Sequence, residues 1–158
     1  MRRLALVLTT PPVPPVSPVP PVCRAYGAVM HTAALVACSV LACLVAFQAC
    51  LALGAPWGRL AWGGRHDGPL PRGLRVASGV SIALYAAMGA LLLARAGLVR
   101  PVAPDGVVRV LSWVLVGYLA LGVVMNALSR SRAERVVMTP TALVLAACSA
   151  VVAAGPPA

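Results

Sequence analysis

Four stretches of this chain, about residues 32–53, 76–94, 110–128 and 136–154, are almost unbroken runs of small and branched apolar residues. The hydrocarbon core of a bilayer, about 30 Å thick, is crossed by roughly 20 mainly apolar residues in an α-helix. Each run meets that length. No water is available at such depth, so backbone N–H and C=O groups must pair within the segment. A β-barrel would show apolar and polar residues in alternation, and these runs do not. The expectation is therefore an all-α fold, an integral membrane four-helix bundle occupying residues 28–158. Composition agrees: 61% of residues are apolar and 10% charged, too greasy a balance for a soluble domain. The polar members of the spans are few, with Gln48 in the first and Tyr118 and Asn126 in the third.

Residues 1–27 differ in kind. PPVPPVSPVPPV places seven of the 15 prolines between Pro11 and Pro21, which removes backbone donors and favours polyproline II, so a disordered proline-rich tail is expected. Arg2, Arg3 and LALVL imitate a signal peptide, but the apolar run falls short of the roughly 7–15 residues of an h-region. A start of translation at Met30 is the alternative, and it leaves the membrane domain unchanged.

The net charge is +10, and all 13 basic residues are Arg. Arg without Lys, beside abundant Ala, Gly, Pro and Val, matches GC-rich codons and points to a bacterial chain in the plasma membrane. The arginines flank the spans and no nucleic-acid motif accompanies them, so anionic head groups are the expected partner and nucleic acid is not. The loops after spans 1 and 3 hold Arg59, Arg65, Arg72, Arg75, Arg130, Arg132 and Arg135, against Arg24, Arg95, Arg100 and Arg109 on the other side. The positive-inside rule then sets the first of these faces in the cytoplasm and both termini outside.

Lipid tails are as apolar as Leu, so membrane helices associate through small residues that let backbones approach. In the first span Ala34, Cys38, Ala42, Ala46, Cys50 and Gly54 recur at every fourth position, which predicts that this stripe faces a neighbouring helix. Shorter stripes run through Gly79, Ala83 and Ala87 and through Ala142, Ala146, Ala150 and Ala154. Cys38, Cys43, Cys50 and Cys148 fall within spans without a C-x-x-C pair, so they read as small packing residues and no metal or other cofactor is expected. Cys23 lies in the tail, and no lipobox precedes it.

The chemistry concentrates in LGAPWGRLAWGGRHDGPLPRG, residues 53–73. Its glycines and prolines predict a compact connection. Trp57 and Trp62 suit head-group depth as anchors of the first helix, the plain reading, while a shallow cap carrying His66 and Asp67 is the sharper one. On the same face NALSRSRAERVVMTP offers Arg130, Arg132 and Arg135, with Glu134 spaced to pair with Arg130. These arginines serve as a topology signal, or join Arg72 and Arg75 around an anionic lipid or an acidic partner. Gln48 and Asn126 are the span residues to watch, because a buried amide in a bilayer usually finds a partner, although both lie close enough to this face to reach the interface instead. We thus expect the two loops to fold over one another.

GAPWG, the following GG, LP before Arg72 and Arg75, and the run Asn126, Ser129, Arg130, Glu134, Arg135 resemble a group of small, uncharacterised bacterial four-helix integral membrane proteins with a GAPWG-type loop. The resemblance covers about residues 30–154. It implies the fold and brings no activity, ligand or catalytic residue.

Among function classes, an enzyme would need a nucleophile, an acid–base pair or a metal set, and only the adjacent His66 and Asp67 come near; no catalytic residue is expected. A transporter or channel would want ionisable residues within the spans, and there it would act as an oligomer. The leading expectation is a non-enzymatic accessory or lipid-facing structural subunit, with a membrane protein or a second copy as further partners.

Overall fold

The computed structural model describes residues 21–156. Four helices, α1 (Pro21–Leu53), α2 (Arg72–Arg95), α3 (Asp105–Ala127) and α4 (Arg132–Ala154), run up and down, and each is long and apolar enough to cross a membrane. No strand occurs among the described residues. The connections after α1 and α3 lie at one end of the bundle, and the α2–α3 connection lies with the start of α1 and the end of α4 at the other.

The helices outrun the apolar windows, because hydropathy reports lipid depth whereas the backbone ladder continues into the head groups. Arg72, Arg75, Asp105, Arg109, Glu134 and Arg135 are all helical. Residues 21–27, expected in the disordered tail, are instead the first turns of α1. Pro21 is tolerated in a first helical turn, and no proline follows it until Pro56. The remainder of the proline-rich segment lies outside the described residues.

Helix ends are closed locally. Beyond α1, Gly54 takes φ 101°, and the Ala55 N–H reaches back to the Cys50 carbonyl at 2.9 Å, a Schellman arrangement. Arg75 adds its Nε–H to the Ala52 carbonyl at 2.9 Å. At the other end of the molecule Arg95 is buried, and its guanidinium donates to the carbonyls of Ala153, Gly155 and Pro156. A cation on unpaired carbonyls at a helix C-terminus opposes the helix dipole, so Arg95, counted above as a loop charge, acts as the cap of α4.

The main core joins Ala34, Ala37 and Leu41 of α1 to Met88 and Leu92 of α2, Leu115 and Leu119 of α3, and Leu145 and Val152 of α4. Ser78, Ser112 and Ser149 are fully buried, one on each of α2, α3 and α4. The predicted stripe of α1 is corrected. Ala34 and Cys38 do face inward, but Ala42 and Ala46 are exposed, and the buried line runs Ala34, Ala37, Leu41, Gln48, Leu51 with Leu44 packed against the core. A strict four-residue repeat rotates by about 40° per step on a helix of 3.6 residues per turn, so it leaves the contact face after two steps. Gly79, Ala83 and Ala87 of α2 are likewise exposed. The stripe of α4 fares better, with Ala142, Ala146 and Ala150 half-buried.

Candidate functional site

The first connection folds into two 3₁₀ turns, Gly58–Leu60 and Trp62–Gly64. The Gly58 N–H donates to the Gly68 carbonyl at 3.2 Å, and a Cβ on Gly58 would lie 2.6 Å from the His66 carbonyl oxygen, so the two limbs of the loop meet here. Below them Leu51, Ala61 and Leu70 form a second small core with Phe47 and Leu74. Trp57 stacks on Phe47, ring centroids 6.0 Å apart and nearly parallel at 5°. Trp62 is the one residue other than glycine with positive φ among those described, at 56°, and its indole N–H donates to the buried Ser78 hydroxyl at 3.2 Å. Such a backbone is unfavourable for a bulky residue, so the surrounding contacts hold it there. An anchor free at head-group depth would need neither feature.

This loop docks on the start of α4. Ser131 caps that helix by accepting from the Glu134 N–H at 3.3 Å, and its hydroxyl donates to the Arg59 carbonyl at 2.7 Å. One Glu134 carboxylate oxygen accepts from the Gly63 N–H at 3.2 Å; the other accepts from the Ser129 hydroxyl. A Cβ on Gly64 would fall 2.1 Å from that of Ser131. The two loops therefore do fold over one another, through backbone and serines more than through charge. Glu134, expected beside Arg130, is buried and turned to Ser129 and Gly63 instead, because the loop supplies donors that an exposed arginine would have to leave water to match.

Under the docked loop lies a cleft of about 720 Å³ walled by all four helices. Leu44, Phe47 and Gln48 come from α1, Ser81 and Tyr85 from α2, Tyr118, Leu119, Leu121, Gly122, Met125 and Asn126 from α3, and Glu134, Met138, Thr141, Ala142 and Leu145 from α4. Trp62, Gly63 and Arg65 roof it, and Arg130 stands at the same end. At 1.5 Å per residue, Gln48 lies about 8 Å inside the end of α1 and Leu145 about 20 Å inside that of α4, so the cleft runs from the head-group level past mid-membrane. Gln48 is buried, and its amide oxygen has no partner among the described residues.

The candidate residues separate into groups. Arg130 and Asn126 line the cleft, although the Asn126 amide donates back to the Gly122 carbonyl of its own helix at 2.8 Å. Trp62 roofs it; Trp57 supports the loop from outside. Asp67 pairs with Arg59 at 2.6 Å on the exposed surface, and this partner holds its carboxyl below the usual carboxylate range. His66 is half-buried and does not meet Asp67 in an ion pair. Arg75 closes α1, Arg135 donates to the Ser129 carbonyl at 3.3 Å, and Arg72 and Arg132 are exposed at their helix starts. The four-arginine cluster is thus not formed: Arg65 and Arg130 are the arginines at the cleft. Gln48 is buried, as a span amide was expected to be if it did not reach the interface, whereas sequence reasoning missed Arg65 at the cleft and the Ser131 cap. Only the last had a signal, the S-x-x-E spacing of a capping box from Ser131 to Glu134.

No family model, curated protein or solved structure matches the chain.

Proposed function

We propose that this chain is a non-enzymatic multi-pass membrane protein that holds one anionic amphiphile in the cleft beneath its first loop. The observation that carries the reading is the layout of the cleft: arginines at the head-group end, an apolar wall of Leu119, Met125, Met138 and Leu145 running inward, and a loop fastened across the top. Arginine matches phosphate and carboxylate with paired donors, and the apolar wall suits a hydrocarbon chain. Glu134 lines the same end of the cleft and accepts from the Gly63 N–H and the Ser129 hydroxyl, and the two arginines outnumber its single negative charge. Seven arginines in the loops and adjoining helix ends of this face favour a cytoplasmic orientation, and the Arg-only composition favours a bacterial plasma membrane.

The test is native mass spectrometry of the protein released from mild detergent, comparing wild type with an Arg65→Ala, Arg130→Ala double variant. Wild type is expected to retain an anionic lipid in a one-to-one ratio, and the variant to lose most of it. Retention unchanged in the variant, or adducts spread over many lipids without preference, contradicts the reading.

A further inference from the structure

We propose that the amphiphile enters the cleft sideways from the lipid leaflet, through a gap between α2 and α3 that the docked loop leaves open. This rests on the reading above and adds to it the source of the ligand: membrane lipid, taken up without passing through water.

Three observations converge. The first is where α2 and α3 meet. Between Arg72 and Ala87 α2 buries only Ser78, which lies under Trp62, and no residue of α3 from Ala120 to Ala127 is buried. The remaining buried residues, Met88 to Arg95 and Val108 to Leu119, fall toward the connection that the two helices share. Nearer the loop, α2 packs along α1 and α3 along α4, which leaves the space between α2 and α3 unfilled.

The second is the lining. The cleft residues of α1, α2 and α4 are buried or half-buried, whereas Tyr118, Leu121 and Met125 of α3 line the cleft and are more than half exposed. Residues that do both stand at a mouth. Gly122 beside them would carry a Cβ into open space. At 1.5 Å per residue the mouth runs from about 3 Å inside the end of α3, at Met125, to about 14 Å at Tyr118, which is lipid depth.

The third is the roof. The adjacent residues Trp62 and Gly63 fasten it to Ser78 of α2 and Glu134 of α4, and among the described residues no hydrogen bond ties it to α3. The loop thus bridges the cleft at the head-group end while the side toward the bilayer stays open. Lifting a lipid through water exposes every methylene of its chains. A sideways path keeps the chains in hydrocarbon and brings the head to Arg65 and Arg130, both exposed at that end.

The experiment loads the purified full-length protein in mild detergent with dioleoyl phosphatidic acid and mixes it with an excess of the chain-deuterated lipid. Native mass spectrometry follows the replacement in time, and a titration gives the equilibrium occupancy. Gly122→Leu, and Ser81→Leu from the α2 side, are expected to slow replacement by about tenfold or more and to keep occupancy within about threefold, since a side chain in the gap must yield at each passage. Gly117→Leu, on an exposed part of α3 outside the cleft, is expected to exchange as wild type does. Ser131→Ala, which loosens the roof, is expected to leave the rate unchanged. Thermal melts identify a gap variant that fails to fold, and the other then carries the test. Exchange as fast as wild type in the gap variants, or exchange speeded by Ser131→Ala, overturns the side entry while the amphiphile reading stands. Lost occupancy without slower exchange means that the gap residues hold the lipid and do not gate it, which also overturns the side entry. No phosphatidic acid retained by wild type overturns both readings.

Discussion

Gly63 and Gly64 are neighbours in the same turn and both have positive φ, 78° and 63°, yet they are required for different reasons. A side chain on Gly63 meets open space, whereas one on Gly64 would strike Ser131. Alanine in a left-handed backbone costs about 1–2 kcal/mol wherever it occurs. Gly63→Ala should therefore lower the melting temperature modestly in detergent, and Gly64→Ala should lower it considerably more, because it also parts the loop from α4. Equal effects would mean that the docking adds no stability. The two carboxylates of this face make a second contrast. Glu134 is buried and accepts two hydrogen bonds, so Glu134→Gln should cost roughly 1–3 kcal/mol in a detergent unfolding titration. Asp67 and Arg59 are both largely exposed, 74% and 66%, where ion pairs contribute little, so Asp67→Asn should leave the midpoint nearly unchanged. The Asp67 carboxyl is held low by Arg59, so whatever the pair contributes is present above the ordinary carboxylate range and lost only as pH falls through the lowered value. A loss of stability at neutral pH would not come from this pair.

At the scale of helices, the contact face of α1 decides how the bundle closes. Ala37 is fully buried and Ala42 exposed, so Ala37→Leu should destabilise by about 1–3 kcal/mol through overpacking, while Ala42→Leu should be tolerated. Leu44→Ala should also destabilise, since Leu44 packs on the core. Thermal melts in one detergent compare all three, and sensitivity at Ala42 with tolerance at Ala37 would restore the four-residue stripe. The same residues show what could be read in advance. The four spans were legible because a bilayer imposes length and apolarity on every segment that crosses it, and neighbouring helices add nothing to that demand. The compact first loop was legible because Gly and Pro act locally. The contact face was not, because Ala is so common here that inward and lipid-facing positions carry the same residue types. The cleft was hidden for a different reason: Gln48, Arg65 and Arg130 are far apart in sequence, and only the packing of α1 against α2 and α4 beneath the docked loop brings them to one space. Arg95 looked like any flanking charge because its acceptors lie on another helix.

For the whole molecule, four crossings put the first loop opposite both the α2–α3 connection and the end of α4. Reporter fusions after Asp67, after Val102 and after Pro156 should place Val102 and Pro156 on one side and Asp67 on the other, with Asp67 cytoplasmic; agreement between Asp67 and Pro156 would contradict the four-span arrangement. The central claim is that a lipid chain occupies the space between the four helices below the loop, and photo-crosslinking tests it most directly. A palmitoyl lysophosphatidic acid carrying a diazirine in mid-chain would be bound, irradiated, and its adducts mapped by mass spectrometry. Adducts are expected on the cleft wall, at Tyr85, Tyr118, Met138 and Leu145, and to disappear in the Arg65→Ala, Arg130→Ala variant. Adducts confined to the exposed outer positions Val80, Val110 and Val144, unchanged in that variant, would show that the lipid only bathes the bundle and would contradict the account.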